Sequence, residues 1–174
     1  MRLFVAVWPD GAALDEIAAL HRPELAGVRW TTRDQWHITL RFFGEVEDAD
    51  PLVRALTSAV DRIPPITAVM GPRVIRVGNM LWAPVEGLVE IASVVVGATS
   101  SLGSPPEDRP FRGHVTLARQ RSRGRGGLGA VRSGQGHEFV GSWTVRSVDL
   151  VRSHLGSGGA RYESIAELPL ASAR

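Results

Sequence analysis

The sequence predicts an α+β fold with antiparallel or mixed sheets, and three observations carry that prediction. Short β-branched apolar runs of strand length alternate with stretches whose apolar residues recur at helical spacing. Several neighbouring strands are joined by turns too short to hold a crossover helix, which disfavours a doubly wound parallel sheet. The same order of elements also runs through the 174 residues twice.

In the first round, Leu3 to Val7 reads as a buried strand. Asp10 is a good N-cap, because its short carboxylate accepts from N–H groups that a helix start leaves without partners. Behind it Ala12, Leu14, Ile17, Ala18 and Leu20 to Leu25 form the stripe of a first helix, with His21 on its solvent side. Val28 to Trp30 opens an extended segment, and Trp36 to Phe43 is a strand that Gly44 ends. Asp50-Pro51 starts a second helix with Leu52, Val53, Leu56, Val60 and Ile63 inward, and Pro64-Pro65 stops it.

The second round begins with Ile66 to Val77, which alternates weakly around Gly71-Pro72 and so predicts two strands broken by a turn. Met80 to Val85 is a strand, and Gly87 to Leu102 a helix with Leu88, Ile91, Val95 and Ala98 inward. Phe111 to Ala118 is a strand. Trp143 to Ser153 reads as one long strand, and Tyr162 to Leu168 as its hairpin partner beyond a turn at Gly156 to Gly159. Residues 119–136 carry five Arg, six Gly and no acid, too little apolar surface to pack, and so predict a mobile loop. The length suits a single domain over residues 1–174, or two small lobes packed together.

Composition removes whole classes of chemistry. All 20 basic residues are Arg, and there is no Cys. Without Lys there is no P-loop lysine, Schiff base or lysyl-nucleotidate intermediate. Without Cys there is no disulfide, thiol nucleophile or Cys-ligated metal. The pI near 10.3 overstates the basicity, since the net charge is only +2 and almost nothing titrates between His and Arg. The opening apolar run, about five residues, is too short for a signal-peptide core or a membrane span. A soluble cytoplasmic protein is expected, with no membrane partner. No apolar helix face is left over, which points to a monomer.

One pair of motifs carries chemistry. Residues 37–40 are His-Ile-Thr-Leu and residues 114–117 are His-Val-Thr-Leu, at the same place in each round. Alternate residues of a strand share a face, so His37 and Thr39 point one way while Ile38 and Leu40 anchor the core. His114 and Thr116 do the same against Val115 and Leu117. Two imidazoles across one cleft suit acid–base catalysis at neutral pH. The β-branched Thr hydroxyls are short, stiff donors suited to phosphoryl oxygens. Zinc is the rival reading, but His21, His137 and His154 show no metal-ligand spacing, so neither metal nor other cofactor is expected.

Paired HxTx motifs in an interleaved chain of this size resemble the two-histidine (2H) phosphoesterases. Within them the chain is similar to the RNA 2′,3′-cyclic phosphodiesterases, also called 2′-5′ RNA ligases. The likeness runs through RLFVAV, HITLRFFGEV, MLWAPV, RPFRGHVTLAR and VDLVRSHLGSGGARYESI, nearly the whole chain. It implies a bilobal fold with a pseudo-two-fold axis, one HxTx strand from each lobe lining a central cleft and helices outside. It implies metal-independent opening of an RNA 2′,3′-cyclic phosphate to a 2′-phosphate, with ATP-independent 2′-5′ ligation as the reverse reaction. By family usage His37 is the proton donor and His114 the proton acceptor, a division the residues alone leave open. Thr39 and Thr116 would contact the phosphate. Gly113 stands where the family often has proline, which should loosen the approach to the second motif. Two other readings stay open. One is a 2H enzyme for a small nucleotide or ADP-ribose cyclic phosphate, and the other a non-catalytic RNA-binding module, against which both intact motifs speak.

Strict alternation would extend the first motif's face to Arg41 and Phe43, as a phosphate clamp and a base stacker or, alternatively, as a cleft-edge charge and a core ring. Arg119, off the alternation beyond the second motif, is a further substrate-binding candidate. Trp36 and Trp82 read as core, and Tyr162 as packing of the hairpin. The Arg/Gly-rich loop is either an RNA-gathering strip or a solvated linker.

Overall fold

The computed structural model describes residues 1–121, 127–128, 138–156 and 159–171. In chain order the elements are β1 (Arg2–Val7), α1 (Gly11–Ala19), β2 (Val28–Trp30), a 3₁₀ turn (Arg33–Gln35), β3 (Ile38–Glu45), α2 (Asp50–Val60), β4 (Ile66–Met70), β5 (Ile75–Val77) and β6 (Met80–Glu86). They continue with α3 (Val89–Ala98), β7 (His114–Gln120), β8 (Gly141–Val145), β9 (Ser147–Gly156) and β10 (Gly159–Pro169). The fold is α+β, and every strand pair among the described residues is antiparallel.

The strands follow one path, β10-β9-β1-β3-β7-β6-β4-β8, with β2 added beside β7 and β5 beside β6. Its two halves meet at a single residue pair, Ile38 of β3 opposite Val115 of β7. These are equivalent positions of the two HxTL motifs, so the repeat seen in the sequence is a two-fold relation about that contact. Ile38 and Val115 are both fully buried. The seam is thus apolar on one face and carries the motif His and Thr side chains on the other.

The helices cover the apolar side of the sheet. In α1, the Asp10 carboxylate accepts from the backbone N–H of Ala13 at 2.9 Å, as its N-cap role requires. Leu52, Leu56 and Val60 give α2 its inward stripe. Helices α2 and α3 pack against each other, and α3 lies on β3. Trp36, Phe43, Leu56, Leu88 and Ile91 belong to one continuous core.

The bounds of β3 and β7 shift by two or three residues, β3 running through Gly44 and β7 starting at His114, and three further elements differ from expectation. Helix α1 stops at Ala19 instead of running on to Leu25, which leaves His21 outside it and exposed. The Arg22 guanidinium donates to the carbonyls of Ile17 and Ala18 at the helix end, the former shared with the Leu20 N–H, and Pro23 bars continuation. The stretch 143–153 is not one strand. It breaks at Arg146, where β8 pairs with β4 in one half and β9 with β1 in the other. Helix α3 is shorter at both ends than residues 87–102. Gly87 has φ +90°, and a Cβ there would lie 2.2 Å from the Thr67 carbonyl oxygen.

The predicted loop at 119–136 lies outside the described residues except for 119–121 and 127–128. Arg119 and Gln120 close β7, and Leu128 is fully buried, its N–H donating to the Gln120 side chain at 3.1 Å. His137 also lies outside the described residues.

Candidate active site

One cleft of about 440 Å³ holds both motifs. His37, Thr39, His114 and Thr116 all line it, and none of the described residues that line it is Asp or Glu. Among the described residues that line it, the fixed charges are the guanidinium groups of Arg2, Arg29 and Arg119, set among aromatic rings and hydroxyls.

Each imidazole is held in the same way. His37 Nδ1 lies 2.8 Å from the carbonyl oxygen of Gln35, and His114 Nδ1 lies 2.7 Å from that of Arg112. A carbonyl only accepts, so both Nδ1 atoms carry a proton and donate it. That leaves Nε2 of each ring as the atom that can take or give a proton. The Gln35 anchor is itself fixed, since its side-chain amide donates to the Ala160 carbonyl at 2.6 Å. Next to the other anchor, Gly113 sits where a Cβ would lie 2.3 Å from the Val85 carbonyl oxygen. Its own carbonyl accepts from Val85 N–H at 2.8 Å. Glycine here permits a close backbone contact that a side chain would block.

The rings around the two histidines differ. His37 lies among Phe4, Trp8 and Tyr162, with centroids 4.9, 5.3 and 4.7 Å away. His114 stacks on Trp82 at 3.6 Å, with 13° between the planes. Burial lowers the His37 pKa to about 4; the Gln35 carbonyl opposes the shift, and the charges of His114 and Arg119 deepen it. The His114 pKa is lowered too, again chiefly by burial and further by Arg119 and Arg109. Burial raises that of Tyr162, keeping it a neutral phenol. Both imidazoles are therefore uncharged at neutral pH until an anion arrives.

Each motif ends in a bulge, in the same place. Against β1, Ala6 faces Thr39 and Val5 faces Arg41, so Leu40 is the extra residue. Against β6, Trp82 faces Thr116 and Leu81 faces Ala118, so Leu117 is the extra residue. The Thr31 hydroxyl reaches the carbonyls of Thr116 and Leu117, at 2.8 and 2.9 Å, and holds the second bulge. Past a bulge the alternation reverses. The residues that reach the cleft are Phe42 and Arg119, each five positions after its histidine. The Arg2 guanidinium lies 4.6 Å over the Phe42 ring.

The bulge corrects two expectations. Arg41 does not reach the cleft. It is buried, and its guanidinium donates to the carbonyls of Val96, Leu102 and Ser104 and to the Thr99 hydroxyl. It thereby collects carbonyls at the end of α3 and in the loop beyond, a structural task. Phe43 is fully buried in the core. Arg41→Met should therefore cost about 3 kcal/mol of stability by leaving buried carbonyls unpaired. Turnover per folded molecule should change little. Urea unfolding beside initial rates at saturating substrate would separate the two.

Residues that sequence reasoning missed are Phe42, Tyr162, Arg2 and Arg29, all of which line the cleft. Trp82 is buried as expected, but it also forms the stacking floor beneath His114. Among the described residues no three His, Asp or Glu side chains converge as metal ligands would.

Comparison with known proteins agrees with this arrangement. A family model described as LigT like phosphoesterase matches residues 7–70, which contain the first motif. An RNA 2′,3′-cyclic phosphodiesterase from Escherichia coli (strain K12) is 30% identical over 131 residues, covering 70% of this chain and 73% of that protein. An RNA 2′,3′-cyclic phosphodiesterase from Aeropyrum pernix is 33% identical over 149 residues, covering 80% and 84%. A crystal structure from Thermus thermophilus has a TM-score of 0.76, and Escherichia coli LigT in apo form 0.73; each is 25% identical and covers 98% of both chains. With relatives matched along most of their length and both motifs facing one cleft, the chain belongs to the LigT-like phosphoesterase family.

Proposed function

We propose that this chain hydrolyses the 2′,3′-cyclic phosphate at an RNA end, leaving a 2′-phosphate and a free 3′-hydroxyl. One observation carries the reading above the others: two imidazoles, each held at Nδ1 by the carbonyl two residues upstream, share a cleft with two Thr hydroxyls. The named activity of the two relatives supports it.

The phosphate sits between the two histidines, with Thr39, Thr116 and Arg119 on its non-bridging oxygens. His114 Nε2 takes a proton from water as the water oxygen bonds to phosphorus. The P–O3′ bond breaks, and His37 Nε2–H gives its proton to the departing O3′. Each role is typically worth about 10²–10⁴ in rate. The negative phosphate supplies the charge that burial otherwise denies the imidazoles, so substrate binding raises both pKa values and allows one ring to hold the needed proton. Phe42 offers its face to the terminal base. When a 5′-hydroxyl takes the place of water, the same displacement joins two ends through a 2′-5′ linkage without ATP.

The test is incubation of an oligoribonucleotide 2′,3′-cyclic phosphate in EDTA, with the product identified by its 2′- or 3′-phosphate. A 2′-phosphate formed at the rate seen without EDTA is expected. A 3′-phosphate overturns the leaving-group assignment, and loss of activity in EDTA overturns the metal-free mechanism.

A further inference from the structure

The cleft carries more positive charge than one phosphate requires. Arg29 and Arg119 are Cα partners on β2 and β7, directly opposite in the ladder, and both line the cleft. Like charges in directly opposed positions repel, and an anion bound at either guanidinium offsets that repulsion. The charge of Arg119 depresses both His37 and His114. Arg29 is half-buried, and its charge enters neither histidine's shift but does act on Tyr162. Its guanidinium lies against Gly159 at the start of β10, where a Cβ would stand 1.9 Å from Nη2. A side chain at that position would displace the guanidinium, and the φ of +115° favours glycine there as well. Arg119 lies three residues beyond Thr116, roughly 10 Å along an ideal strand and less across a bulge, and Arg29 stands one strand further out, so it extends the site away from the Thr hydroxyls.

We propose that Arg29, across the ladder from Arg119, forms a second phosphate subsite that takes the phosphodiester on the 5′ side of the terminal nucleotide, while Arg119 keeps to the reacting phosphate. The subsite rests on the hydrolase reading above, and it names the substrate class as an oligonucleotide end in preference to a mononucleotide. A guanidinium fork matches phosphate oxygens in pairs, and only a chain of at least two nucleotides brings a second diester to it.

The test compares a dinucleotide 2′,3′-cyclic phosphate with a mononucleoside 2′,3′-cyclic phosphate on the full chain. Wild type should favour the dinucleotide by roughly 10- to 100-fold in kcat/KM. Arg29→Gln should shrink that ratio about tenfold, Arg29→Lys should restore part of it, and the salt dependence for the dinucleotide should flatten by about one phosphate contact in Arg29→Gln. Binding of a dinucleotide 2′-phosphate, measured without turnover, should weaken in parallel. Equal losses on both substrates in Arg29→Gln overturn the subsite, as does a wild-type ratio near one. A wild type that opens neither substrate overturns the hydrolase reading; in that case unchanged dinucleotide binding by Arg29→Gln rejects the subsite as well.

Discussion

Replacing His37 or His114 by Gln should lower kcat on 2′,3′-cyclic ends by about 10³-fold while the protein stays folded. Glutamine fills much of the imidazole's volume, so the packing around each ring is largely kept, although the Nδ1–H bond to the carbonyl of Gln35 or Arg112 is lost. It cannot exchange a proton at neutral pH. The double variant should be scarcely worse than either single one, because acid and base act in the same displacement and their losses do not add. The two positions should separate on a substrate whose leaving group needs no proton. On bis(p-nitrophenyl) phosphate the His37 variant should recover most of its loss, and the His114 variant should not. The opposite pattern exchanges the roles of donor and acceptor. Near-wild-type turnover by either variant on the cyclic end removes that histidine from the mechanism.

The site was legible in the sequence as far as period-two alternation could carry it. HITL and HVTL each place a polar pair on one face and an apolar pair on the other, and the core contact of Ile38 with Val115 is what turns the polar faces into one cleft. The same rule failed two residues later. In β3 the bulge at Leu40 sends two consecutive residues inward, and Arg41 hid this because a buried guanidinium reads as a surface charge until its four acceptors at the end of α3 are seen. The second motif held the clue. There Leu117 and Ala118 are consecutive and apolar, a doublet that fits a bulge better than a regular strand, and the repeat would have carried it back to Leu40 and Arg41. Tyr162 and Arg29 were out of reach for another reason. The β9–β10 hairpin was legible, but it comes to the cleft only because β9 pairs with β1, and Arg29 only because β2 pairs with β7, long-range pairings that no local pattern encodes. The break at Arg146 is similar, since two strands of opposite halves follow each other with one residue between them.

Arg119 offers the second large effect, and the one that tests the electrostatics of the cleft. Arg119→Gln should lower kcat/KM on cyclic ends by about 10²-fold, the usual cost of one preorganised donor at a developing anionic centre. It should also move the pH profile. In the free protein His37 protonates near pH 4, and His114 below its ordinary 6.5, so kcat/KM should be bell-shaped with both limbs on the acid side of 6.5. The Arg119 charge opposes an imidazolium at either position, so its removal favours protonation and must shift both limbs upward. Burial, the larger cause at both histidines, is untouched, so the limbs should stay below 6.5. Arg119→Lys separates the two contributions. The charge remains and the limbs should hold, while the fork is gone and part of the rate should be lost. Limbs that stay in place in Arg119→Gln, with the rate reduced, would confine Arg119 to holding phosphate; limbs that move down would overturn the account of how these histidines are kept neutral.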